Sequence, residues 1–138
     1  MRGRVLLALS LLLVPACGGG GGELSAEALK KEAESIQSFA AEGALLARDV
    51  ADGRSTAPFA RVHAGELANN AAKLEQTLAS ALPAPGVEVD HDRAVHLAAR
   101  VATTLKELEQ APGDADAARR VQRELEAAAK QAEELAGS

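Results

Sequence analysis

Leu82-Pro83-Ala84-Pro85-Gly86 divides the chain into two halves of similar pattern. Proline lacks the backbone N–H and glycine favours turns, so this run cannot continue a helix. Upstream of it, Ala60, Ala64, Leu67, Ala71, Leu74, Leu78 and Ala81 recur every three or four positions, the spacing of one helix face. Pro58 opens that segment, where a missing N–H does no harm. Further back, Leu29, Ala33, Ile36, Ala40, Gly43, Ala47 and Val50 form an equivalent stripe. Ser25 is its expected N-cap, Glu27 complements the positive end of the helix dipole, and Asp52-Gly53 stops it.

Downstream, Asp90 is the expected N-cap of a third helix bearing Ala94, Ala98, Val101, Leu105 and Leu108. Val87 and Val89, just ahead of it, are expected to fold back over the end of the helices. Pro112-Gly113 breaks the third helix, and Asp114 caps a fourth carrying Ala118, Val121, Leu125, Ala128, Ala132 and Leu135. Four amphipathic segments joined by short turns predict an all-α, antiparallel up-down-up-down four-helix bundle over residues 24–138. The nearest architectural rival is a long helical hairpin that oligomerises; the three breaks argue against one long trimeric coiled coil. Alanine alternates with larger aliphatics along each stripe, which favours close helix approach and leaves much of the stability to helix propensity.

The first residues read differently. Arg2 and Arg4 precede ten nearly all-apolar residues, Val5 to Val14, and then Pro15-Ala16-Cys17. A basic region, a short apolar region and a small residue at the cut make a secretory signal peptide. Ten helical residues reach about 15 Å, half a bilayer core, so the segment is too short to span a membrane. Val14-Pro15-Ala16-Cys17 resembles the lipobox of bacterial lipoproteins, departing from it at Pro15, where that family has a small or apolar non-proline residue. The resemblance covers residues 1–17. It implies a lipoprotein signal peptide over 1–16, cleavage between Ala16 and Cys17, and lipidation of Cys17 as the membrane anchor. Lipidation would also account for the chain's one cysteine, which has no disulfide partner and would be a reactive thiol in an oxidising compartment. Residues 17–23 then form a lipidated tether, in which five glycines have an end-to-end distance of roughly 12 Å. Because Gly18 stands where an aspartate would retain such a protein at the inner membrane, the resemblance implies the periplasmic face of the outer membrane of a Gram-negative bacterium.

Removing residues 1–16 takes Arg2 and Arg4 away and leaves 13 basic against 20 acidic residues, a formal charge of −7. Acidic balance, with Phe39 and Phe59 as the only aromatics, argues against nucleic-acid binding. In an up-down bundle the acidic excess falls in the half nearest the tether. The far half carries balanced charge and the cluster Arg119, Arg120 and Arg123, a candidate surface for an anionic partner. The bland alternative is that these arginines pair with nearby acids, Arg120 with Glu124 for instance.

Metal and cofactor motifs are sparse. Asp92 and His96, four apart, share a helix face and are the weak metal candidates; otherwise the Glu88–His96 turn reads as a capped, solvated helix start. His63 falls at the opposite end of the bundle from His91 and His96, so no three histidines converge. No haem attachment motif, phosphate loop or nucleophile motif occurs, and the expectation is a protein without cofactor or catalysis. The function expected from these readings is that of a lipid-anchored accessory or interaction lipoprotein of the cell envelope, acting by protein or envelope contact, with an envelope protein or another anionic partner. The alternative is a small-ligand or metal carrier using the bundle core or the Glu88–His96 turn.

Cys17→Ala is expected to abolish incorporation of labelled fatty acid and to move the protein out of carbonate-washed membranes. Retention of the variant in those membranes would show that lipid on Cys17 is not the anchor.

Overall fold

The computed structural model describes residues 22–138; the leader, Ala16, Cys17 and most of the glycine run lie outside the described residues. Four helices follow in order: α1 (Ala26–Ala51), α2 (Ala57–Ser80), α3 (Glu88–Gln110) and α4 (Ala115–Ala136). They form the four-helix bundle that the stripes predict.

Each helix starts and stops for a local reason. Ser25 Oγ accepts from the Ala28 amide at 3.2 Å, which satisfies one of the open donors of α1. Gly53 closes that helix with φ +69°, a conformation that a Cβ would strain. Asp114 Oδ1 accepts from the amides of Asp116 and Ala117, each at 3.0 Å, and so starts α4. The expectation for α3 needs correction. Asp90 is not its N-cap: the helix begins three residues earlier than that cap would start it, Val87 is the capping residue, and no side chain caps it. Glu88 instead turns back, its Oε2 accepting from the Gly86 amide at 2.8 Å, while Asp90 sits within the first turn beside Arg93. Val87 packs against the core as expected, but Val89 stands 73% exposed.

The stripes of α1, α3 and α4 are buried along their length. On α2, Ala60, Ala64, Leu67, Ala71 and Leu78 are buried, whereas Leu74 and Ala81 are only half-covered. The packing is uneven. α1 lies most extensively against α4, and α2 against α3; α1 also touches α3 across the diagonal, whereas α2 and α4 do not meet. The core is filled by Ile36, Leu78, Leu105, Leu108, Leu125, Val101 and Val121, all enclosed.

Gly43 sits where the diagonal is tightest. A Cβ there would run into Leu105 Cδ2 and lie 2.9 Å from Leu125 Cδ1. Gly43→Val would therefore force repacking. Overpacking costs typically about 1–3 kcal/mol, only partly offset by losing a helical glycine. A net loss of about 2 kcal/mol is expected in urea denaturation. Leu45→Ala, at a position 52% exposed two residues along, is expected to cost less than about 1 kcal/mol.

Candidate functional site

The short segment that enters α1 is fastened to the connection between α2 and α3. Leu24 forms a parallel β-bridge with Pro83. The Leu24 amide donates to Leu82 O at 2.7 Å, and the Ala84 amide donates to Leu24 O at 3.0 Å. The groups used belong to the residues flanking Pro83, so its missing N–H costs nothing. Periodicity could not reveal this contact, because a single bridge has no repeat. One end of the bundle thus holds the chain's entry point, the proline-rich connection, and the exposed Leu82 and Val89.

At this same end, His91 is buried rather than solvated. Its Nε2 lies 2.8 Å from Leu78 O, and since a carbonyl only accepts, Nε2 carries the proton that joins α3 to the last turn of α2. Nδ1 lies 3.5 Å from Asp92 Oδ1, outside hydrogen-bond geometry, and has no partner among the described residues. Asp92 and His96, the two metal candidates, are both exposed and are not brought together with a third ligand. Among the described residues, no group of three or more His, Cys, Asp or Glu side chains is placed to hold a metal ion. His63, as expected, lies at the other end, on the second turn of α2. It bridges helices that otherwise touch little, with Nε2 2.9 Å from Glu42 Oε1 on α1.

The far end carries a second set of candidates. Arg119 and Arg123 are four apart, and Arg120 and Arg123 three apart, so they share the outer side of α4. Arg119 pairs with Asp116 at 3.3 Å and Arg120 with Glu107 at 3.9 Å. Arg120 does not pair with Glu124, as the sequence suggested. Glu124 Oε2 instead lies 3.4 Å from Thr104 Oγ1, on the α3 side. Arg123 has no ion-pair partner among the described residues. These exposed pairs are weak, about 0–1 kcal/mol each, and exchange readily for another anion. At the same end of the bundle, but on α2, which does not touch α4, Phe59 (59% exposed) and Val62 (62% exposed) form a separate apolar element that the arginine pattern alone did not point to. Phe59 stacks on the His63 ring with centroids 5.6 Å apart, which holds the phenyl ring in place at the surface.

A third feature lies between α3 and α4. A cleft of about 310 Å³ is lined by Arg93, His96, Leu97, Arg100, Gln131 and Leu135. Arg93, His96 and Arg100 stand three and four apart on α3, the same spacing that marks the core stripes. Reading that spacing for charge as well as for apolarity would have found them.

Compared with known proteins, the chain matches no family model, no curated protein and no solved structure.

His91→Phe is expected to lower stability by about 1 kcal/mol in urea denaturation, the typical net value of one hydrogen bond. Leu78 O would keep its bond from the Ala81 amide. His96→Phe, at an exposed position, is expected to stay within about 0.5 kcal/mol of the parent.

Proposed function

We propose that this chain is a lipid-anchored accessory protein of the bacterial cell envelope. It works by contact: Cys17 holds it to the membrane, and the opposite end of the bundle meets an envelope protein. The observation that carries this reading is the Leu24–Pro83 bridge. Only Gly18 to Glu23 separate Cys17 from Leu24 in sequence, a reach of at most about 25 Å. An anchor at Cys17 would therefore keep the α2–α3 connection close to the membrane and direct the α1–α2 and α3–α4 connections away from it. The lipobox-like Val14-Pro15-Ala16-Cys17 and the basic and apolar leader support the anchor and the outer-membrane address.

The far end offers what a protein contact needs. Phe59 and Val62 supply exposed apolar area, and Arg119, Arg120 and Arg123 supply planar donors for carboxylates on a partner. Arg61, between Phe59 and Val62 in sequence, extends the same chemistry onto α2. Against a ligand carried inside the bundle core stands the packing there, where a methyl group at Gly43 would displace Leu105. The partner is then an envelope protein with an acidic, partly apolar surface, and the protein's role is to position or stabilise it near the membrane.

Replacing Arg119, Arg120 and Arg123 by Gln, alone and together with Phe59→Ser, tests this arrangement. In-cell crosslinking is expected to lose its main adduct stepwise, while the thermal melt and membrane fractionation stay as in the parent. Unchanged adducts in the quadruple variant would remove the far end as the contact surface.

A further inference from the structure

The cleft between α3 and α4 has a polar lining of one kind. Arg93 and Arg100 only donate hydrogen bonds, and each guanidinium carries five N–H groups. Arg93 spends a contact on Asp90 at 3.0 Å. Arg100 Nη2 donates to Gln131 Oε1 at 2.9 Å. Since the arginine cannot accept, Gln131 is fixed with its oxygen toward Arg100, which leaves its amide nitrogen as a further donor. His96 offers at least one ring N–H in any protonation state. No carboxylate lines the cleft, although the chain as a whole is acidic. Leu97 and Leu135 complete the lining; both are buried, so they present only the edge of the core to the cleft.

Donors without acceptors, set beside an apolar wall, call for a ligand that is anionic and rich in acceptors. The two bonds to Asp90 and Gln131 also restrain the arginine side chains, so less side-chain freedom is lost when an anion arrives. Arg93 and Arg100 are seven residues, about two turns, apart on one side of α3, so both side chains border the same cleft. A tetrahedral phosphate, with three or four acceptor oxygens pointing in different directions, can take bonds from more of these donors than the two coplanar oxygens of a carboxylate. The cleft's volume of about 310 Å³ leaves room for an organic group attached to it.

From this we infer that the α3–α4 cleft is a binding site for an organic phosphate, held by Arg93, His96, Arg100 and the Gln131 amide, with its apolar portion against Leu97 and Leu135. The phosphate can come from a phospholipid headgroup or from a soluble phosphate ester; the recognition chemistry is the same. This site does not depend on Cys17 being lipidated or on the far-end contact.

The test uses the full chain in neutral detergent, titrated with glycerol 3-phosphate and, separately, with short-chain phosphatidylglycerol. Side-chain N–H resonances of Arg93 and Arg100 are followed by NMR. Saturable shifts of both are expected with at least one of the ligands. Arg93→Gln/Arg100→Gln is expected to weaken that binding by at least about tenfold, the loss of one charged hydrogen bond or more. Arg48→Gln/Lys73→Gln removes the same charge elsewhere, at two exposed positions, and is expected to stay within about twofold. Arg93→Lys/Arg100→Lys keeps the charge but not the planar fork and is expected to fall between, which separates loss of the site from loss of the fold. Tighter binding of the phosphatidylglycerol would assign the headgroup, and tighter binding of glycerol 3-phosphate the soluble ester. Shifts that do not saturate with either ligand, or equal weakening in the two Gln pairs, would reduce the effect to charge screening and overturn the site.

Discussion

The bundle depends on how closely its helices can approach. With only two phenylalanines and no tryptophan or tyrosine, the chain cannot fill wide gaps between helices. It closes them instead with residues that present little beyond a Cβ. On α1, Ala33, Ala40 and Ala47 are wholly buried, and on α4 so are Ala118 and Ala132. α1 and α4 pack against each other most extensively, and α2 and α3 likewise. Alanine loses no side-chain entropy on burial, so these contacts are made without the ordering cost that long side chains carry. What they lack is area. The larger residues Ile36, Leu105, Leu108 and Leu125 supply it in the space between the two close pairs. Gly43 completes this division: the space a side chain would take there holds the ends of Leu105 on α3 and Leu125 on α4.

This packing bears on function through what it leaves at the surface. The wholly enclosed core is aliphatic, and the polar chemistry is distributed over the ends and one flank. Charge is correspondingly local. Arg93, His96 and Arg100 form a basic flank within the acidic half, although net charge by halves assigns that region to the acids. Summed charge describes long-range attraction and repulsion, screened within about 10 Å at moderate salt. Recognition is decided at shorter range, by which side chains share a face.

Much of the fold was legible because helices repeat. The stripes on α1, α3 and α4 are buried as expected, and Ser25, Gly53 and Asp114 act at the ends where their chemistry suggested. The misreading at α3 has a traceable cause. Asp90 is a good capping residue, and choosing it ended the stripe at Ala94. His91 continues the same three-and-four spacing one step further back, and the helix includes it in the core. Histidine reads as a surface residue because it is polar, yet an imidazole with a carbonyl in reach is tolerated when buried. The Leu24–Pro83 bridge and the pairing of Arg120 with Glu107 were not legible at all. Both join residues far apart in sequence, and neither leaves a period behind.

The bridge also has a mechanical meaning. It joins the chain's entry to the connection between the second and third helices, so a pull on the N-terminal end does not load the first turn of α1 alone. Part of the tension passes through two backbone hydrogen bonds into residues 82–84, and from there into both α2 and α3. The first helix and the α2–α3 hairpin are therefore loaded together, and peeling α1 away from the N-terminal end requires those two bonds to break first. A bundle pulled from Leu24 in this way would resist as one body.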